Sequence, residues 1–328
     1  MTERIRVGIV GYGNLGRGVE TSIGLNPDLE LVGVFSRRDP VTVQTAAAST
    51  QVFAIAALAD FTDKIDVLIL CGGSKSDLPE QTPELAARFT VVDSFDTHAK
   101  VPEHFAAVDA AAASAGTVAV ISTGWDPGLF SLNRLFGEAI LPQGNTYTFW
   151  GRGLSQGHSD ALRRIPGVAG AVQYTLPSES AIERVRAGEN PALTTREQHD
   201  RECFVVLEDG ADADAIRETI VTMPDYFEPY DTTVHFITAE ELARDHAGMP
   251  HGGFVIRSGE TSVGVNQTVE YRLALDSNPE FTSSVLVAYA RAAARLAASG
   301  ATGAFTPFDI APGLLSPKTP AQLRAELL

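Results

Sequence analysis

Three glycines at a fixed spacing carry the first chemistry in the chain. Gly11-Tyr12-Gly13-Asn14-Leu15-Gly16 follows the apolar run Arg6-Val7-Gly8-Ile9-Val10 and leads into residues 17–23, which have helical composition. In a strand, turn and helix of this kind, Gly11 permits the tight turn and Gly13 lets the backbone approach a pyrophosphate, while Gly16 lets the helix lie close on the strand. The helix N-terminus adds open N–H groups and a partial positive charge. The pattern is that of dinucleotide binding. The next expected strand, residues 29–35, ends about twenty residues beyond the turn, where an acid would take the ribose 2′-hydroxyl of NAD. Ser36-Arg37-Arg38 stand there instead. A hydroxyl and two guanidiniums suit a 2′-phosphate, so the reading is NADP.

Two acids stand where the nicotinamide of such a cofactor would lie. Asp96 and Asp126 each follow an expected parallel strand, at the end of the sheet where open α/β folds bind ligands. Paired carboxylates can hold an ammonium and later accept its proton, which oxidation of an amino acid requires. Capping and turn formation are the other common uses of aspartate, and the residues alone leave both open.

The elements that must position these groups can be read from pattern. Residues 65–71 are apolar enough to be buried on both faces and end in Cys71-Gly72-Gly73-Ser74. Residues 90–93 lead to Ser94-Phe95-Asp96, and residues 117–122 lead to Thr123-Gly124-Trp125-Asp126-Pro127. Helices are expected over 80–89 and 102–115, the second with Pro102 near its start and Gly116 as its stop. Alternating strands and helices give a doubly wound, Rossmann-type α/β sheet, and its strand-end loops should share one crevice. From residue 147 the pattern becomes β-rich, with runs at 147–150, 173–176, 201–207, 232–237, 253–257 and 263–275. This predicts a second, α+β lobe on a mixed or antiparallel sheet for substrate binding and dimerisation. The expected division is a dinucleotide-binding domain over 1–124 and a second domain over 125–283. The alanine-rich helix 284–298 and the tail to 328 should pack back on the first.

Composition limits the partners. A chain of 328 residues exceeds what one core comfortably serves, and 44% hydrophobic residues can fill two. A net charge of −16 disfavours nucleic acid and anionic membrane as partners. The chain opens with no signal-peptide pattern, and no apolar stretch approaches the ~20 residues that span a bilayer, so a cytoplasmic protein is expected. Cys71 and Cys203 lie in apolar runs and read as buried thiols, with no disulfide framework or metal spacing. His246 and His251 do not make a zinc signature, and no metal is expected.

Further polar features lie in glycine-rich settings. Trp125 and Trp150 are flanked by glycine and charge, as a tryptophan walling a pocket would be. Residues 155–165 read as a loop entering a helix, where Gly157 leaves N–H groups open for a carboxylate or simply begins a capped helix. His251 is set in the stiff turn Met249-Pro250-His251-Gly252-Gly253. Arg201, near His199, can grip a carboxylate or pair with a surface acid.

These runs resemble a known family. Residues 10–17, 35–38, 122–128, 149–151, 154–167 (LSQGHSDALRRIPG), 172–178 and 248–253 are similar to those of the meso-diaminopimelate D-dehydrogenases, most of all the corynebacterial type, over nearly the whole chain. The resemblance implies a cytoplasmic, homodimeric, NADP-dependent enzyme of lysine and peptidoglycan-precursor synthesis. The implied reaction oxidatively deaminates the D-centre of meso-2,6-diaminopimelate to L-2-amino-6-oxopimelate and ammonia. It places cofactor contacts at Tyr12, Asn14, Leu15, Ser36, Arg37, Arg38, Cys71, Gly72, Gly73, Ser74, Ser94, Phe95, Asp96, Thr123, Gly124, Trp125, Asp126 and Pro127, besides the glycines of the turn. Substrate contacts fall on Asp96, Asp126, Trp150, Gln156, Gly157, Thr175, Arg201, His251 and Asn278. Phe95 and Gly72 depart from the family pattern, where a tyrosine and a bulkier residue are found, and this bears on local cofactor packing. A dihydrodipicolinate reductase or homoserine dehydrogenase would share the first lobe but not the run from 150 to 167. A non-catalytic NADP-sensing protein would bind cofactor without turnover.

The cofactor reading has a direct test. Replacing both Arg37 and Arg38 by alanine should raise the Michaelis constant for NADP far more than that for NAD, each lost charge-assisted bond costing on the order of 1.5–3 kcal/mol. Equal use of NAD by the unaltered protein would overturn the reading.

Overall fold

The computed structural model describes residues 4–328. They form two compact units, one reaching to Leu132 and including Pro279–Leu328, the other Asn133–Asn278. The limits differ from the expected 124 and 283. Trp125 and Phe130, whose rings pack with centroids 5.2 Å apart, both fall in the first unit. The long C-terminal helix starts at Asn278 because Pro279 suits a first helical turn, where no N–H partner is needed.

The first unit is built from β1 (Ile5–Val10), α1 (Asn14–Gly24), β2 (Leu29–Ser36), β3 (Val52–Ala54), β4 (Val67–Leu70), α2 (Leu78–Ala86), β5 (Val91–Asp93), α3 (Val101–Ala115) and β6 (Val118–Val120). Helix α4 (Leu129–Ile140) leads out of it. The second unit holds β7 (Gly144–Trp150), β8 (Gly153–Leu154), α5 (Gln156–Arg163), β9 (Val168–Pro177), α6 (Glu179–Arg186), α7 (Thr195–Gln198), β10 (His199–Leu207), α8 (Ala213–Val221), β11 (Asp231–Phe236), α9 (Ala239–Asp245), β12 (His251–Ser262) and β13 (Val265–Leu275). The chain then returns through α10 (Asn278–Ala298), β14 (Gly303–Phe305) and α11 (Pro320–Leu327).

The first sheet has the order β14-β6-β5-β4-β1-β2-β3, with every pair parallel. Parallel strands need helical crossovers, so both faces are covered. Val7 and Ile9 point to a core with Val19 and Ile23 of α1 and Leu286, Tyr289 and Ala290 of α10. Val10, Leu68 and Leu70 belong to the opposite core, with Leu85 of α2 and Val108 and Ala112 of α3. Strand order reverses beside β1, which places the glycine turn and the ends of β4, β5 and β6 on the ligand-binding edge. Strands β3 and β14, three residues each, are too short to leave a periodic signal.

The second unit carries two sheets where one was expected. Strands β11, β10, β9 and β8 form a mixed sheet in that order, with only β10 and β11 parallel. Strands β13, β12 and β7 form an antiparallel one. Helices α5 and α8 cover the mixed sheet over Cys203, Val205, Leu162, Ile216 and Ile220. Helix α6 covers the other through Ile182 and Val185, against Tyr147, Phe149 and Ile256. The runs were visible in the sequence, but their sorting into two sheets follows from pairings distant in the chain, such as Gly253 with Trp150.

A buried ion pair ties the returning helix to the first unit. Arg291, 2% exposed, donates to both carboxylate oxygens of Asp28 at 2.6 and 2.8 Å, to Asn26 Oδ1 at 2.7 Å and to the Leu315 carbonyl at 2.8 Å. The hydrogen bond from Arg291 is the main cause holding the Asp28 carboxyl below its ordinary range, against the opposing effect of burial. Arg291→Met leaves Asp28 without its cation and should cost on the order of 3 kcal/mol in chemical denaturation. Because the Asp28 pKa is depressed on folding, its contribution is present above the ordinary aspartate value of about 3.9 and lost as pH falls through the lower folded value. An acid-unfolding curve unchanged by Asp28→Asn would contradict this.

Candidate active site

The glycine turn has the geometry its spacing predicts. Gly11 adopts φ +87°, and a side chain at Gly16 would place its Cβ 2.4 Å from the Gly11 carbonyl oxygen, so only glycine lets α1 start this close to β1. Gly13 is the N-cap of α1 and offers no side-chain cap, and a Cβ there would meet nothing within 4 Å. Open space therefore lies beside Gly13 at the start of α1, which fits the close approach of a pyrophosphate.

The residues after β2 are tied to the same turn. Arg38 donates to the Tyr12 carbonyl oxygen, and its own N–H goes to Ser36 Oγ at 3.0 Å. Arg37 pairs with Asp77 at 2.6 Å, and Asp77 also accepts from the Gly73 N–H at 2.8 Å. A cavity of about 380 Å³ opens beside Arg37, lined also by Ser76, Gln81 and Arg88. The Tyr12 phenol is bonded to Glu20 on α1, and burial, reinforced by that bond, pushes its pKa up to about 12. Glu20 accepts from Thr50 Oγ1 at 2.5 Å and from the N–H groups of Ala46 and Ala47 at 2.9 and 3.0 Å. Burial raises the Glu20 pKa, but these bonds outweigh it and hold the carboxyl below its usual range.

The strand ends carrying Asp96 and Asp126 are bonded together. The Asp96 N–H donates to Ser74 Oγ at 2.8 Å, and Ser74 Oγ lies 3.3 Å from Thr97 Oγ1, linking the loops after β4 and β5. Asp93 accepts from the backbone N–H groups of Phe95 and Ser122 at 3.0 and 2.8 Å, linking the loops after β5 and β6. Phe95 is 2% exposed and stacks on His104 at 4.1 Å, so its ring faces the core. Trp125, read as a pocket wall, is 8% exposed against Phe130. Cys71 is half-buried and Cys203 fully buried, and burial raises both thiol pKa values, that of Cys203 to about 12.

In the second unit, strand pairing brings predicted residues into one row. Gly153 lies opposite Thr175, and Thr175 opposite Arg201. Arg201 donates to Thr175 Oγ1 at 2.6 Å, and its guanidinium carbon lies 3.7 Å from the centre of the Tyr230 ring. It is 6% exposed, its Nε has no hydrogen-bond partner, and among the described residues no carboxylate pairs with it. Two imidazoles beside it are held neutral. Burial first, and the Arg201 charge second, lower His158 and His199 to about 4. Any stability these neutral rings contribute is present above the ordinary histidine value of about 6.5 and lost as pH falls through the folded value. His199 Nε2 accepts the Trp150 N–H at 2.9 Å, and the two rings stack at 5.4 Å. Trp150 itself is 37% exposed.

His251 stands over the same row. A Cβ at Gly153 would lie 2.4 Å from its ring, so glycine is required for the imidazole to sit there. The loop before it is clipped by Leu154 N–H to the Pro250 carbonyl at 2.9 Å, Gln156 Nε2 to the Met249 sulfur at 3.3 Å and Asn278 N–H to the Met249 carbonyl at 2.9 Å. Gly157 is the exposed second residue of α5, whose N-cap Ser155 accepts from the His158 N–H. Ser155 thus caps the helix start at the His158 N–H, next to Gly157. Thr175, Arg201, His251, Gln156 and Asn278 are brought together here, and Asp96 and Asp126 belong to the first unit.

Sequence reasoning passed over Glu20, Asp77, Asp93 and His199. Glu20 and Asp77 lie in helical contexts that look solvated, and their work depends on distant loops. Asp93 offered one signal, a carboxylate ending an otherwise apolar strand. Among the described residues no three His, Cys, Asp or Glu side chains group as a metal site.

Comparison with known proteins gives the family. Residues 124–277 match the diaminopimelic acid dehydrogenase C-terminal domain. The chain is 66% identical over 324 residues to a meso-diaminopimelate D-dehydrogenase of Lysinibacillus sphaericus, covering 99% of each. A crystal structure of a meso-DAP dehydrogenase mutant from Clostridium tetani, solved with DAP, superposes with TM-score 0.94 at 54% identity, covering 99% of this chain and 100% of that one. The six residues substituted in that mutant were Gln, Thr, Arg, Pro, His and Asn, and the same types recur here at the same intervals as Gln156, Thr175, Arg201, Pro250, His251 and Asn278. An engineered D-amino acid dehydrogenase bound to NADP+ superposes with TM-score 0.86 at 50% identity, covering 99% of this chain and 100% of that one. The chain belongs to the meso-diaminopimelate D-dehydrogenase family.

Proposed function

We propose that this protein is an NADP-dependent dehydrogenase that converts meso-2,6-diaminopimelate, water and NADP+ to L-2-amino-6-oxopimelate, ammonia, NADPH and a proton, reversibly. The observation that carries the reading is Arg201, a buried guanidinium that bonds Thr175, leaves its Nε without a partner and makes no salt bridge with a carboxylate among the described residues, with neutral imidazoles beside it. A buried cation is costly unless paired, and a substrate carboxylate completes this one. The substrate has two near-identical amino-acid ends, so fixing the end that does not react decides which centre is oxidised. Thr175, Arg201 and His251 are the anchors for that end, with Trp150, Gln156, Gly157 and Asn278 around it.

Bound NADP supplies the hydride acceptor. The uncapped start of α1 receives the phosphates, and Arg37 and Arg38 take the 2′-phosphate. Asp96 and Asp126 hold the reacting ammonium and take its proton, so that an imine can form and be hydrolysed to the ketone and ammonia. No helix among the described residues is long and apolar enough to cross a membrane, in keeping with work in the cytoplasm. Strand β13 is an edge strand with Val265 and Val269 46% and 41% exposed, a surface suited to a second copy in a homodimer.

The decisive assay is NADP reduction with meso-, LL- and DD-diaminopimelate side by side. Turnover of the meso isomer and none of the LL isomer, which has no D-centre, is expected. Turnover of neither meso nor DD would overturn the proposal. Asp126→Asn and Asp96→Asn should each lower turnover at least ~100-fold while NADP binding changes little, since a carboxamide cannot neutralise the ammonium or take its proton. Parental rates in both variants would make the two aspartates turn residues. Arg201→Lys keeps the charge but loses the planar fork, so it should raise the Michaelis constant for diaminopimelate and leave that for NADP unchanged.

A further inference from the structure

Asp93 ends β5 with no exposed surface and divides its acceptor capacity between the loops beside it and the helices behind it. Oδ1 accepts two backbone N–H groups, from Phe95 at 3.0 Å and from Ser122 at 2.8 Å. Oδ2 accepts from Thr82 Oγ1 at 2.8 Å and lies 2.7 Å from His104 Nε2. The Asp93 carbonyl takes the Thr123 N–H at 3.0 Å and its hydroxyl at 2.7 Å. One oxygen therefore holds the residue just before Asp96 and the start of the loop that ends in Asp126. Ser122 is held there at φ +55°, a conformation that residues other than glycine rarely adopt. Thr82 and His104 lie on α2 and α3, so both helices behind the sheet fix the carboxylate from the other side.

We propose that Asp93 is a positioning residue for the reaction, setting the separation of the two loops that present Asp96 and Asp126 without touching substrate or cofactor. The inference rests on the reading of those two aspartates as the amine site. A carboxylate pair works on one ammonium only at a fixed spacing, and a single acceptor oxygen shared by both loops sets that spacing more tightly than separate bonds would. Thr82 and His104 keep the carboxylate from rotating, so the shared oxygen stays between the two amides.

The test is a mutant cycle in the full-length protein at saturating NADP. Asp93→Ala should lower kcat about 100-fold, the scale of a misplacement near 1 Å, with the Michaelis constant for NADP nearly unchanged. Asp93→Asn keeps an oxygen for the two amides and should recover most of that turnover. In a protein already carrying Asp96→Asn and Asp126→Asn, Asp93→Ala should cost less than about 3-fold, because the groups it positions are gone. If Asp93→Ala does not fold, Asp93→Ser serves instead: its oxygen stands one bond short of the amides and should give the same cycle. Three results would overturn the inference alone: a lowered melting temperature with unchanged kcat, an Asn variant as slow as the Ala variant, or a full ~100-fold loss on top of the double aspartate variant. Parental turnover in Asp96→Asn/Asp126→Asn would overturn the amine-site reading itself, and this inference with it.

Discussion

Close approach of backbone to backbone at the first turn is the constraint on which the first unit depends. Because Gly16 has no side chain, α1 lies against β1, and because Gly18 has none, α10 lies against α1. A Cβ at Gly18 would stand 2.5 Å from Ser283 Oγ. Ser283 Oγ in turn lies 2.8 Å from the Leu15 carbonyl, inside the glycine turn. The segment after the second unit therefore returns onto the helix that starts at the phosphate site, and β14 extends the same sheet beside β6. One short stretch of small residues thus organises both the ligand-binding edge and the return of the chain.

Electrostatics in the second unit rest on a contrast among buried arginines. Arg257 is satisfied by carbonyls, bonding Leu141 O through Nε at 2.9 Å and Nη2 at 2.5 Å, with Thr146 Oγ1 at 3.0 Å. Arg291 in the first unit is satisfied by Asp28, Asn26 and Leu315. Of the three, Arg201 alone has its Nε left without a partner, its guanidinium set against Thr175 and Tyr230. In a chain of net charge −16 an acid to complete it would be easy to supply, yet among the described residues no carboxylate forms a salt bridge with it, and Asp200 acts on it only through its charge. A cation kept incomplete where acids are plentiful is what the proposed role of Arg201 as a carboxylate anchor requires.

Much of this was legible in the chain. The strand, turn and helix of the glycine motif, the run of parallel strands and the change of character after β6 follow from periodicity and turn residues, which are local. His251 and Arg201 drew notice from their settings, but their roles, and Thr175 altogether, came through family motifs, since nothing local separates Arg201 from a surface arginine. What stayed hidden is of two kinds. Strands such as β3 and β14 have three residues and exist because a neighbouring strand offers free N–H and C=O groups. Glu20, Asp93 and His199 matter through partners tens of residues away, and a buried carboxylate bonded to backbone amides looks in sequence like any aspartate in a turn. Trp125 shows a related effect: polar neighbours in the chain did not stop its ring from packing on Phe130.

The Tyr12 carbonyl has a consequence for changing the nucleotide this protein uses. That oxygen accepts from Arg38, while the phenol of the same residue reaches Glu20, which pins the loop at Ala46 and Ala47. The groups proposed to recognise the ribose phosphate and the pyrophosphate are therefore mechanically one part. Exchanging Arg38 for an acid would do more than alter charge at the ribose: it would set a second acceptor against the carbonyl of the phosphate turn and loosen the turn for either nucleotide. A natural or engineered switch of specificity along this scaffold has to begin at Arg37, whose partner Asp77 lies outside the turn, and supply a new donor for Tyr12 before Arg38 can change.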